Sequence, residues 1–115
     1  LHYGDSLDNA KDKGFRLAYA KTYKLQPDVY AVQGYDAAQI LGIGLNAVKG
    51  DVSKKAEFAA AVEKAKIDSP RGAFTLSKAH NPVQDMYLRK ASGRDNAFVE
   101  IAAKGLADPA RGCKM

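Results

Sequence analysis

The sequence predicts an α/β chain in which three helices are followed by a short antiparallel β-hairpin or sheet. Two observations predict it. Up to about residue 66, apolar side chains recur at helical spacing. From residue 73 onward the period drops to two, between turn signals at "DSPRG", "KAHNP" and "SGRDN". The chain has 115 residues, 46% hydrophobic and 27% charged, which suits one domain-sized globular unit.

The opening "LHYGDSLD" reads as an extended entry segment, and Asp8 or Asn9 offers a cap for the first helix. This helix covers about 9–25, with Phe15, Ala18, Tyr19, Thr22 and Tyr23 on one face, and Pro27 stops it. The second covers about 30–49. Its apolar residues run almost all the way round, which predicts a largely buried helix. Gln33, Asp36 and Gln39 are its polar exceptions and fall on one narrow stripe. Gly42 and Gly44 weaken a helix unless another backbone comes close, and Gly50 closes it.

Asp51 or Ser53 is placed to cap a third helix over about 53–66, with Phe58, Ala61, Val62 and Ala65 as its apolar face. Strands follow over about 72–77, 84–91 and 97–103, the last two joined at "SGRDN". So few short strands make a weak sheet alone. The chain reads as part of something larger. Leu1 is not a natural initiator, so a processed or truncated product is expected, and no signal peptide opens the chain.

Charge and motifs exclude several function classes. The net charge is +5 and the pI about 9.3, but lysines and arginines are interleaved with acids rather than blocked. No RNA-binding aromatic motif or zinc-finger spacing accompanies them, so a nucleic-acid binder is supported by pI alone. Cys113 is the only cysteine, which excludes an internal disulfide framework. His2 and His80 sit in no metal-ligand spacing, so no metal site is expected. Ser69 lacks the glycines of a nucleophile elbow, and "GIG" at 42–44 lies within a helical pattern, not after a strand. No cofactor motif or catalytic constellation is visible, and no enzyme activity is expected.

The most distinctive polar cluster is Tyr30, Gln33, Tyr35 and Asp36, at the start of the second helix. Two uses fit it. A helix N-terminus with tyrosines and an amide suits a small-molecule cleft. The residues alone favour the other use, in which the tyrosines pack into a core while Asp36 caps or pairs locally.

Three ordered features carry a resemblance. They are F-x3-Y-x3-Y followed by P-x2-Y, the "GYDAAQIL" helix, and "DSPRGAFTLSKAHNPVQDMYL". Together they resemble the C-terminal third of periplasmic solute-binding proteins of ABC importers, of the branched-chain amino-acid receptor type (type I periplasmic-binding fold). The ending "ADPARGCKM" is similar to that family's C-terminus. The resemblance implies a fragment of a two-lobed extracytoplasmic receptor made with a signal peptide. The first helix would belong to one lobe, the next two to the other, and the strands would return to the first.

Such a receptor closes on an amino acid or related small carboxylate, aromatic ones included, and delivers it to a membrane ABC permease. The segment entering the "GYDAA" helix supplies an aromatic wall, a position matched by Tyr30, with Gln33 and Tyr35 as weaker candidates one turn on. The family's carboxylate-binding residues lie earlier in the chain than this fragment reaches. A different reading is a self-associating module without ligand, motivated by the apolar helix over about 32–48.

Overall fold

The structure is a computed structural model and describes residues 1–112. Cys113, singled out above, lies outside the described residues. Three helices, α1 (Ala10–Tyr23), α2 (Val29–Ala47) and α3 (Lys55–Glu63), precede strands β1 (Lys66–Ile67), β2 (Phe74–Leu76), β3 (Pro82–Ser92) and β4 (Asp95–Leu106). The strands form one antiparallel sheet in sequence order. With a radius of gyration of 15.8 Å the molecule is more extended than the roughly 13 Å of a compact domain of about this size.

The caps explain where the first two helices begin. The Asn9 side chain accepts from the backbone N–H of Asp12, and Asp28 does the same for Ala31 at the start of α2. Each satisfies an N–H that the helix itself leaves free. The third helix differs from the sequence reading. Its N-cap is Lys54, without a side-chain cap. Asp51 instead accepts from Ser53 in the preceding turn. The helix also stops at Glu63, and Lys66–Ile67 is a strand paired with Phe74–Thr75. Ile67 gains full burial that way, against Phe74, which a continued helix would not give it.

Two small cores hold the elements. Tyr3, Leu7, Val32 and Tyr87 form one, with Phe15, Val29 and Phe98 packed against it. Ala65, Ile67 and Phe74 form the other, with Ile40, Ile43 and Leu76. The entry segment belongs to the first. Leu1 and Tyr87 exchange main-chain hydrogen bonds in both directions, and Asp5 pairs with Asn96. The register of β3 on β4 shifts three times, between Gln84 and Met86, between Met86 and Tyr87, and between Leu88 and Arg89, as bulged antiparallel pairs do. At the hairpin tip Gly93 takes the positive φ of a tight turn, followed by Arg94.

One expectation is corrected. The second helix is not largely buried in this chain. Only Val32, Asp36 and Gly44 are buried, and Leu41 and Leu45 are exposed. The reason is supply of partners, since α1, α3, the entry segment, β1 and the 68–71 turn reach only part of α2 and leave the side carrying Leu41 and Leu45 uncovered. The close approach at Gly44 is also a side chain, not a backbone. A Cβ there would lie 2.5 Å from the Phe58 ring, whereas one at Gly42 would meet nothing.

Candidate functional site

The polar stripe of α2 grips the "DSPRG" turn. Gln39 Nε2 donates to the Asp68 carbonyl at 2.7 Å. Ser69 Oγ and Arg71 Nε both donate to Asp36 Oδ2, at 2.9 and 2.8 Å. From the other side, Asn9 donates to the Pro70 carbonyl. Arg71 is 7% exposed. It also donates to Gln84 Oε1 and lies 4.2 Å above the Phe74 ring, while its carbonyl accepts from the Tyr87 hydroxyl. One buried guanidinium thus ties α2, β2 and β3 together. Burial raises the Asp36 carboxyl above its ordinary value, and Ser69 and Arg71 hold it partly back.

Two clefts flank this scaffold. The first, about 700 Å³, is mostly apolar, walled by Ile40, Phe58 and Phe74 over Gln33 and Arg71. Its one buried cation is already spent on Asp36 and Gln84. His2 faces it as a neutral ring. Its pKa is lowered to about 4, chiefly by burial, then by Arg71, the N-terminal ammonium and Arg89. Its Nε2 is therefore free to accept from Gln33 Nε2 at 3.3 Å.

The second cleft, about 730 Å³, opens between the start of α2, the end of the entry segment and the hairpin tip. Tyr30 stands on it, 74% exposed. Three arginines, Arg16, Arg89 and Arg94, line it together with three aspartates, Asp5, Asp28 and Asp95, beside Gln26 and Asn96. Its size falls in the range of small-molecule sites, roughly 300–1,000 Å³. An exposed tyrosine beside guanidinium groups offers an aromatic face and charge-assisted donors in one place.

The structure therefore separates the three residues the sequence put forward. Tyr30 lies on the polar cleft and Gln33 on the apolar one. Tyr35 packs against α1, its ring centroid 5.1 Å from that of Phe15 and 5.4 Å from Lys11 Nζ. Residues 30, 33 and 35 point in three directions because a helix turns by about 100° per residue. Sequence pattern alone does not single out the arginines of the polar cleft. Their signal is the hairpin itself, since the "SGRDN" turn folds Arg89 and Arg94 back toward the entry segment.

Comparison with known proteins fits this architecture. The model for the periplasmic binding protein family matches residues 1–96. The chain belongs to that family. Among solved members of the fold, an ABC transporter solute-binding protein from R. palustris, in complex with benzoate, is 50% identical. It superposes with a TM-score of 0.96, over all of this chain and 32% of that one. A solute-binding protein from Rhodopseudomonas palustris BisB5, in complex with 3,4-dihydroxybenzoic acid, is 25% identical (TM-score 0.80, 95% of this chain, 31% of that one). Another, from strain HaA2 with p-hydroxybenzoic acid, is 26% identical (TM-score 0.79, 96% and 32%). The chain thus spans about a third of the length of these periplasmic binding proteins. No curated protein gives a significant match. Among the described residues, no helix is long and apolar enough to cross a membrane and no acid, histidine and cysteine cluster could hold a metal.

Proposed function

We propose that this chain is the C-terminal part of a periplasmic receptor that captures a small aromatic carboxylate of the benzoate class for a membrane ABC permease. Tyr30 forms one wall of its solute cleft. The observation that carries this is the pairing of 50% identity to a benzoate-bound receptor with an exposed Tyr30 on a guanidinium-lined cleft. A flat ring acid matches such a site in shape and charge. Binding proceeds by closure around the solute, without covalent chemistry. Amino acids, the other solute class the resemblance implies, lack the ring that would use Tyr30 unless they are aromatic. Of the other two candidates, Gln33 and Tyr35 support the helix that presents Tyr30, by holding His2 and Phe15.

Calorimetry on the full-length receptor tests the solute class. Benzoate or p-hydroxybenzoate should bind with Kd on the order of micromolar or tighter, about −8 kcal/mol, and leucine at least about a hundredfold more weakly, about 2.7 kcal/mol. Equal or tighter binding of leucine would reverse the assignment.

A further inference from the structure

We infer that Arg89 and Arg94 hold the anionic group of the solute, with its ring laid on Tyr30. This rests on the reading that Tyr30 faces solute, and assigns a second role in the same cleft. Both arginines come from the hairpin, Arg89 from β3 and Arg94 from the turn that follows it. Both line the cleft with Tyr30.

Their lack of carboxylate partners among the described residues sets them apart. Arg16, the third guanidinium there, is ion-paired, through Nε with Asp12 at 3.0 Å and more loosely through Nη2 with Asp5 at 3.7 Å, where Nη2 makes no hydrogen bond. Arg89 and Arg94 form no ion pair with any carboxylate among the described residues. The acids of the cleft are mostly occupied too. Asp5 accepts from the Asn96 N–H at 2.6 Å, and Asp28 caps α2. Asp95 remains, so two uncommitted guanidinium groups face one uncommitted carboxylate.

A planar guanidinium matches a carboxylate through two parallel N–H donors, which suits a flat aromatic acid better than a point charge would. The field of Arg89 is already felt nearby, as one of the charges that keep His2 neutral. Arg89 is half-buried and so partly preorganised, while Arg94 sits exposed at the tip and can close over the solute. In the apolar cleft the one arginine, Arg71, is already ion-paired with Asp36 and donates to Gln84. Family resemblance places other carboxylate contacts earlier in the receptor, so these two arginines would act beside them.

The test uses the full-length receptor and benzoate, read by calorimetry. Replacing both residues by glutamine (Arg89→Gln with Arg94→Gln) should weaken binding by about 10- to 100-fold. Replacing both by lysine should recover at least about threefold of that, because charge returns. Arg94→Gln alone, at an exposed turn, leaves the fold intact and should cost at least about threefold. Benzoate affinity within about threefold of the unsubstituted receptor in the double glutamine variant would overturn the assignment. So would equal losses in the glutamine and lysine variants. Tyr30→Ala separates the two claims. If it leaves affinity unchanged, the cleft itself is misplaced. If it weakens binding while the arginine variants do not, only the arginine roles fall.

Discussion

Arg71→Met should destabilise the chain by about 3–5 kcal/mol in denaturant unfolding. The side chain is 7% exposed and its Nε lies 2.8 Å from Asp36 Oδ2. Removing it leaves a buried carboxylate with Ser69 as its sole donor, and Asp36 Oδ1 already has no partner. Uncompensated buried charge is among the few single changes expected to cost this much. Against a typical total of about 5–15 kcal/mol, the loss would take much of the stability margin. Removing both partners, Arg71→Met with Asp36→Leu, should recover a large part of it, because no orphan charge remains. A single variant within about 1 kcal/mol of the unsubstituted chain would mean that Arg71 does not tie α2 to the hairpin.

Tyr30→Ala should have the opposite profile. Tyr30 is 74% exposed and caps no core, so its loss should change stability by no more than about 0.5 kcal/mol. In the full-length receptor the same change should weaken benzoate binding by about 2 kcal/mol or more, over tenfold, as truncation of a central aromatic contact does. A stability loss without an affinity loss would place Tyr30 in a packing role.

These two residues show what the sequence could reveal. Asn9 was legible as one of two caps because the capping chemistry is local. The stripe of Gln33, Asp36 and Gln39 was legible from spacing alone, but what it faced was not. Asp36 meets Arg71 across 35 residues of sequence, and no local rule reports that distance. The "DSPRG" stretch reads as turn punctuation, which hides a buried arginine inside it. Ile67 stayed hidden for a related reason. A two-residue strand at the end of a helical pattern is too short for a period to register. The composition of the second helix predicts burial, and composition cannot say whether a partner is present. Leu41 and Leu45 are exposed because few elements of this chain reach them. At the site, Tyr30 was found through resemblance rather than periodicity. Arg89 and Arg94 required the hairpin to fold back before they shared a cleft with it.

An aromatic carboxylate in the Tyr30 cleft would be visible directly. A crystal structure of the full-length receptor with benzoate tests it most directly. The benzoate ring should lie in van der Waals contact with the Tyr30 side chain, roughly 3.5–4 Å away, with its carboxylate turned toward the hairpin arginines. Benzoate bound out of reach of Tyr30, or a Tyr30 ring covered by protein rather than solute, would contradict it.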